Sequence, residues 1–284
     1  MTAISSVSTA PRRHVRARLL SSEEVAPHHF RFRLESSEIA QGAHAGQFVH
    51  VLPAPSAFEW GFDPLLRRAF SILSTDRQST FDVLFRALGK GTGALSRRRV
   101  GETIDLLGPL GIPFDLSAFH VKQSRRAILV GGGVGVPPMI FLAQTLRETG
   151  IEAQAIIGAR GASDVIGPSD FAAMNVPAHI TTEDGSVGTR GRVTDVLGPI
   201  LEKQSENLTV FTCGPLPMLR AVAAICEPLA VPCQVSMEEN MPCGIGVCNG
   251  CVVKVKSDDK SPYAHYRRMC VEGPVCEARE VDWS

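Results

Sequence analysis

The sequence predicts a multidomain chain: an antiparallel β-barrel, then a doubly wound α/β domain, then a small C-terminal domain built round cysteines. Three observations predict it. Short strand-like runs separated by turns fill residues 13–114, a continuous apolar run then feeds a glycine-rich turn and a helical pattern, and three cysteines fall within nine residues near the end. The expected boundaries are a loose tail over 1–11, the barrel over 12–120, the α/β domain over 121–232 and the cysteine domain over 233–284.

In the barrel the runs are His14-Val15-Arg16-Ala17-Arg18-Leu19-Leu20, Phe30-Arg31-Phe32-Arg33-Leu34, Gln47-Phe48-Val49-His50-Val51, Ala69-Phe70-Ser71-Ile72-Leu73 and Phe81-Asp82-Val83-Leu84-Phe85-Arg86-Ala87-Leu88. Apolar and polar residues alternate along them, as on strands with one face buried. A short helix is expected over 94–97. Residues 1–10 are rich in Ser and Thr, and a polar, charged linker is expected over 120–125.

The pattern then changes. Ala127-Ile128-Leu129-Val130 is a buried parallel strand by its unbroken apolar run, followed by Gly131-Gly132-Gly133-Val134-Gly135-Val136-Pro137-Pro138 and a helix over 139–148. Strands are expected at 154–159, 178–182 and 208–212, with helices at about 192–201 and 217–227. Strands alternating with helices give a Rossmann-like domain.

Composition excludes several classes. The charges balance at 29 basic against 29 acidic residues, so no basic patch or acidic tail points to nucleic acid or a membrane surface. The longest apolar runs are short and broken by Gly and Pro, too short to span a bilayer. At 44% hydrophobic residues the chain can build real cores.

Cys243, Cys248 and Cys251 form a C-x4-C-x2-C run in Met241-Pro242-Cys243-Gly244-Ile245-Gly246-Val247-Cys248-Asn249-Gly250-Cys251, and a fourth cysteine follows at a distance. This is the plant-type spacing of a 2Fe-2S cluster. Thiolates that converge on so small a group require a curled backbone, and Gly244, Gly246 and Gly250 supply it. A structural zinc site would show two tight C-x2-C pairs, and a disulfide framework belongs to small secreted chains. The fourth ligand is Cys270 or Cys276. Cys270 is preferred because the Gly273-Pro274 turn closes the loop behind it and leaves Cys276 on the outgoing strand. Cys226 and Cys233 read as buried free thiols. Cysteines used as ligands suit a reducing compartment, so the cytoplasm is expected.

Two glycine turns point to a dinucleotide. Gly131, Gly132, Gly133 and Gly135 stand at a strand-to-helix turn where backbone N–H groups can face a phosphate. Val136-Pro137-Pro138 replaces the end of the G-x-G-x-x-G fingerprint, and a turn that merely packs helix on sheet explains the same residues. The second turn, Cys213-Gly214-Pro215-Leu216-Pro217-Met218, also follows an apolar strand, so both reach the carboxyl edge of the sheet. Cys213 would stand at the mouth of that crevice, near a nicotinamide, and a packing role serves it equally.

On the barrel, Arg68 can fork onto a pyrophosphate, Phe70 can cover a ring face and Ser71 can hydrogen-bond a ring nitrogen. An ordinary half-buried strand with a surface arginine has the same composition. Gly89-Lys90-Gly91-Thr92-Gly93 adds a second glycine-rich loop whose amides could take the same phosphates. His28, His29 and His50 are read as surface or strand residues rather than ligands. No Ser/His/Asp triad or carboxylate pair stands out.

Arg68-Ala69-Phe70-Ser71, Leu84-Phe85-Arg86, Gly91-Thr92, Leu107-Gly108-Pro109-Leu110-Gly111, the 131–138 turn and Cys213-Gly214-Pro215-Leu216-Pro217-Met218, in this order, resemble the ferredoxin-NADP reductase superfamily. Glu238-Glu239-Asn240-Met241-Pro242-Cys243 and the cysteine run, with Cys270-Val271-Glu272-Gly273-Pro274-Val275, resemble the electron-transfer subunits of type B dihydroorotate dehydrogenases. The resemblance covers nearly the whole chain. Proline is common in the family at Ala69 and arginine at Asn240, and the loop over 254–269 is long.

The resemblance implies FAD on the barrel, NAD(H) on the α/β domain and a 2Fe-2S cluster held by Cys243, Cys248, Cys251 and Cys270. It implies that Arg68 meets the FAD pyrophosphate and that Phe70 and Ser71 meet the isoalloxazine. Ala69, Leu84, Phe85, Arg86, Gly91 and Thr92 complete the flavin site, and Gly131, Gly132, Gly133, Gly135, Cys213, Gly214, Pro215 and Met218 form the nicotinamide nucleotide site. The expected function is an electron-transfer flavoprotein subunit, working with an FMN-containing dihydroorotate dehydrogenase subunit in pyrimidine biosynthesis as a hetero-oligomer. The alternatives are a related flavin subunit of a hydrogenase, sulfide dehydrogenase or ferredoxin:NADP oxidoreductase, and, from another class, a non-catalytic metal-binding module. Arg160, just after the second strand of the α/β domain, could reach the 2′-phosphate of NADP, but a single arginine there is usually a solvated loop residue, and the resemblance favours NAD.

Overall fold

The computed structural model describes residues 12–53, 63–120, 126–261 and 263–284. The expected tail over 1–11 and residues 121–125 of the expected linker lie outside them.

Antiparallel strands β1 (Arg13–Ala26), β2 (His29–Glu35), β3 (Phe48–Val51), β4 (Arg68–Thr75), β5 (Thr80–Arg86) and β6 (Thr103–Leu110) close a barrel in the order β1-β2-β5-β4-β3-β6. Helix α1 (Ser37–Gly42) lies between β2 and β3, capped by Ser36, whose hydroxyl accepts from the Ile39 N–H. Alternation sets the faces: Val15, Ala17 and Leu19 point inward while Arg16 and Arg18 are exposed. The barrel was legible in the sequence, but β6 was not among its runs. Gly108 and Pro109 are turn signals elsewhere. Here the strand runs through them, and glycine is required at 108 because a side chain there would come within 2.8 Å of Val49 Cγ1 on the neighbouring strand.

The helix expected over 94–97 instead spans Lys90–Ser96 (α2), so Gly91 and Thr92 belong to a helix and not to a loop. The cause is local. The Thr92 hydroxyl accepts from the N–H groups of Leu88 and Gly89 at 3.0 and 3.2 Å, which satisfies the free donors of the first turn and starts the helix early. A short helix α3 (Ser117–His120) leads out of the barrel.

The second sheet runs β10-β9-β8-β7-β11-β12-β15. Its strands are β7 (Arg126–Gly132), β8 (Glu152–Ala159), β9 (Ala178–Thr182), β10 (Thr189–Arg190), β11 (Leu208–Cys213), β12 (Cys233–Ser236) and, antiparallel to β12, β15 (Val275–Glu277). The sheet therefore draws strands from both sides of position 232. Helices α4 (Val136–Glu148), α5 (Pro168–Ala173), α6 (Val193–Lys203) and α7 (Leu216–Cys226) flank it. Helix α4 starts three residues before the expected 139. Pro137 and Pro138 sit in its first turn, where a missing N–H costs nothing. A hairpin of β13 (Val252–Lys254) and β14 (Tyr266–Arg268), then helix α8 (Met269–Glu272), follow the cysteine run.

Barrel and sheet share a core. Residues of both, among them Phe32, Phe85, Leu129 and Phe141, form one buried cluster, and Phe114 meets Phe211 edge-on at 5.5 Å. Arg31 on β2 bridges Asp82 of the barrel and Asp170 on α5 at 2.6 Å each, and Gln144 on α4 donates to the Thr75 carbonyl at 2.7 Å. These contacts hold helices α4 and α5 against the barrel wall.

Candidate functional site

A cavity of about 720 Å³ opens where barrel, sheet and cysteine segment meet. The barrel contributes Ala69, Phe70 and Ser71 from β4 and Leu84, Phe85 and Arg86 from β5. Phe70 packs on Phe85 at 5.1 Å, and Phe85 meets Phe32 edge-on at 5.0 Å, so the apolar floor is rigid; each such pair adds about 0.5–1.5 kcal/mol beyond its buried area. Arg86 Nε is buried with no hydrogen-bond partner among the described residues, a donor left for an anionic ligand. Arg68, Gly91 and Thr92 stand outside the cavity lining, but together: the Arg68 guanidinium lies against Gly91, and its Nη1 donates to the Leu66 carbonyl at 2.6 Å.

The two glycine turns meet at the opposite wall. Gly132, Gly133, Cys213, Pro215 and Met218 line the cavity, whereas Gly131, Gly135 and Gly214 pack behind it. Gly131 lies under Val136, and Gly135 backs directly onto the Cys213 carbonyl. Gly214, at φ +155°, lies against Met218. The missing side chains let one turn press on the other. Gly133 takes φ +55° with open space beside it, at the cavity edge.

Cys213 is buried, and its Sγ lies 3.9 Å from Glu238 Oε1. Burial, then the nearby Glu238 carboxylate, pushes the thiol well above its ordinary range. It is therefore a neutral thiol and not a thiolate nucleophile. Burial also raises the carboxyl of Glu238, and that of Glu239 beside it. Both glutamates line the cavity, as do Phe48, Met237, Met241 and Pro274, and the residue-by-residue reading of the sequence assigned none of these six to a site. The one available signal was their position: Glu238, Glu239 and Met241 immediately precede the first cysteine. Arg160 also lines the cavity, with Glu183 at the end of β9.

Cys243, Cys248, Cys251 and Cys270 come together in one loop system. Positive φ at Gly244 (+69°), Gly246 (+85°) and Asn249 (+54°) makes the curl. Backbone amides turn toward sulfur: Gly250 N–H donates to Cys248 Sγ, and Cys270 N–H to Cys251 Sγ, both at 3.4 Å. Burial opposes the Cys243 thiolate, but the amides of Cys248, Ile245 and Val247 and the Cys248 thiol outweigh it and bring Cys243 down to about 6. Burial and the Cys251 thiol hold Cys270 up at about 12.

Among the described residues no three Cys, His, Asp or Glu side chains meet as a ready metal site. The sulfurs fall instead into two pairs, Cys243 with Cys248 and Cys251 with Cys270. Four cysteine sulfurs in two pairs, with amides aimed at sulfur, fit a two-iron cluster, which would bind them as thiolates. Cys276 lies elsewhere, on β15 opposite Val235, where burial raises it to about 12. Its sulfur neighbour is Cys233, which lies beside Cys226.

His50 lies against Gly244 from the barrel side. It is fully buried on β3, and burial holds its ring at about 4, below the ordinary imidazole range.

A six-stranded barrel and a mostly parallel sheet with glycine turns at its carboxyl edge, sharing one cavity with the segment that leads into a four-cysteine loop, are the parts of an iron–sulfur oxidoreductase subunit. Residues 238–282 match the model of the iron-sulfur cluster binding domain of dihydroorotate dehydrogenase B. The chain is 39% identical over 267 residues to the "Dihydroorotate dehydrogenase B (NAD(+)), electron transfer subunit" of Bacillus caldolyticus, covering 94% of this chain and 97% of that one. It is 41% identical over 237 residues to the subunit of the same name from Geobacillus sp. (strain WCH70), covering 83% and 86%. This chain belongs to the family of dihydroorotate dehydrogenase B electron transfer subunits. A solved structure of an NADH-dependent reduced ferredoxin-NADP oxidoreductase superposes with TM-score 0.79 at 27% identity, over 95% of this chain and 90% of that one. No helix among the described residues is long and apolar enough to cross a membrane.

Proposed function

We propose that the chain is the electron-transfer subunit of a type B dihydroorotate dehydrogenase, with FAD on the barrel, NAD(H) against the two glycine turns and a 2Fe-2S cluster on Cys243, Cys248, Cys251 and Cys270. The observation that carries this is the single cavity: β4 and β5, both glycine turns and the segment that begins the cysteine loop line the same space. When bound, a nicotinamide exchanges hydride, a flavin exchanges one or two electrons, and a 2Fe-2S cluster exchanges one.

The residues present supply position. Phe70 and Phe85 give an apolar floor for a ring, and Ser71 a hydroxyl at its edge. Arg86 and Arg68 supply cations for a pyrophosphate. Cys213, as a neutral thiol, is a soft wall beside the nicotinamide that does not compete as a nucleophile. Met237, Met241 and Pro274 exclude water between the flavin floor and the cysteine loop. NAD is the preferred nucleotide, in keeping with the relatives' name. The reading includes a cytoplasmic location and a hetero-oligomer with a catalytic dihydroorotate dehydrogenase subunit in pyrimidine biosynthesis.

Co-expression with candidate catalytic subunits, followed by pull-down and an assay of NADH-linked dihydroorotate and orotate turnover, tests the partner. Co-purification with turnover is expected. If no dihydroorotate dehydrogenase subunit associates and NADPH-linked ferredoxin reduction is found instead, the chain works as a ferredoxin:NADP oxidoreductase subunit.

A further inference from the structure

Strand β3 has two faces with different tasks. Val49 and Val51 point into the barrel core, while Phe48 belongs to the core beneath the cysteine segment and lines the cavity. His50 shares the Phe48 face by strand alternation. Its cross-strand neighbours are Ala69 on β4 and Leu107 on β6, both packed against that second core. Its ring is fully buried, and neither ring nitrogen makes a hydrogen bond of normal geometry among the described residues, although the Met241 backbone is close enough to act on it.

The ring is aimed at the cysteine loop. A methyl group on Gly244 would stand 2.6 Å from His50 Nδ1 and 3.0 Å from Cγ, so the loop backbone next to Cys243 rests on the imidazole. The strand beneath is fixed from outside: Arg67 donates to the His50 carbonyl and the Asp105 carbonyl at 3.2 Å each, and pairs with the Asp105 carboxylate. A leucine would fill this apolar space without leaving two polar atoms unpaired, so packing alone does not call for a histidine.

We infer that His50 is a positioning residue for the cysteine loop: from the barrel strand next to the flavin wall, its imidazole supports the Gly244 backbone by packing and keeps an unpaired N–H beside the turn that carries Cys243. This rests on the cofactor assignment above. An imidazole in either protonation state keeps at least one N–H, and donors around an iron–sulfur cluster favour its more negative, reduced form.

The test uses the full holoprotein with His50→Leu and His50→Asn, the latter keeping an N–H near the Nδ1 position. Flavin, iron and sulfide contents, the cluster EPR line shape and its midpoint potential in a dye-mediated titration are compared with wild type. His50→Leu is expected to keep full flavin content, to lower the midpoint potential and to alter the line shape, and His50→Asn to recover most of that shift. A His50→Leu protein with the potential and line shape of wild type overturns the inference. So does a His50→Asn protein as displaced as His50→Leu, since volume alone would then matter. If His50→Leu loses its iron, retention of the cluster at wild-type potential in His50→Asn supports the assignment and equal loss in both overturns it. A wild-type protein without any cluster contradicts the cofactor reading itself, before any substitution is made, and the inference falls with it.

Discussion

The Arg68 guanidinium lies over Gly91 so closely that a methyl group there would come within 2.8 Å of Nη2. The obstacle is the end of a flexible side chain, so an added methyl group displaces the arginine and leaves the fold alone. Gly91→Ala is expected to weaken FAD retention about tenfold, the loss of one charge-assisted contact. Its Tm should stay within about 2 °C of wild type, as for a substitution costing under 0.5 kcal/mol. Flavin-to-protein ratios after dialysis, with a thermal melt, check both. A large fall in Tm with flavin retained would show that Gly91 serves packing only.

Gly135 differs because its obstacle is backbone. A Cβ there would collide with the carbonyl of Cys213, and neither turn can move without its strand. Gly135→Ala should cost about 1–3 kcal/mol of stability and weaken NADH binding. Gly132→Ala, which meets the flexible Met218 thioether at 2.6 Å, should cost less. Urea unfolding of the two variants compares the costs directly.

Cys270 and Cys276 are six residues apart but lie in different surroundings, the first beside Cys251 and the second near Cys233. Cys270→Ser should abolish the cluster absorption and EPR signal while leaving FAD bound. Cys276→Ser should keep both. Iron and flavin analysis of each variant reads the outcome, and the reverse pattern would reassign the fourth ligand.

Asp105 ties the barrel to the site by pairing with Arg67 and accepting from His14 Nε2 at 2.8 Å. Burial alone would raise its carboxyl, but the bonds from His14 and Arg67 and the Arg67 charge hold it below the usual range. A depressed carboxyl stabilises the fold above the ordinary carboxylate range of about 4, and that contribution is lost as pH falls through the lower folded value. Asp105→Asn should therefore cost about 1–2 kcal/mol at pH 7 and much less at pH 3. Urea midpoints at the two pH values give the comparison; a gap that does not shrink in acid would count against the ion pair.

The barrel, the parallel strands and the cysteine loop were legible because each rests on a local pattern: alternation, an unbroken apolar run, or fixed spacing. What escaped depends on partners distant in sequence. Strand β6 runs through Gly108-Pro109, held by pairing with β1 and β3, with Gly108 against Val49. The run Ser21 to Ala26 is polar, yet it extends β1 by pairing with β2 across bulges. Glu238 becomes a cavity residue through its approach to Cys213, twenty-five positions earlier, and His50 is buried by a loop nearly two hundred residues later. Residues 90–93 contain three glycines or lysines in four positions and read as a loop, until the Thr92 hydroxyl is seen to cap them.

The most direct test of electron transfer through one shared cavity is an anaerobic NADH titration of the purified chain, followed by absorbance and EPR together with metal analysis. The protein should be brown-yellow and contain FAD, iron and sulfide. NADH should bleach the flavin bands and bring up the signal of a reduced 2Fe-2S cluster, in the absence of any partner. A colourless protein containing zinc, or a flavin that NADH reduces while the cluster stays oxidised, would contradict it.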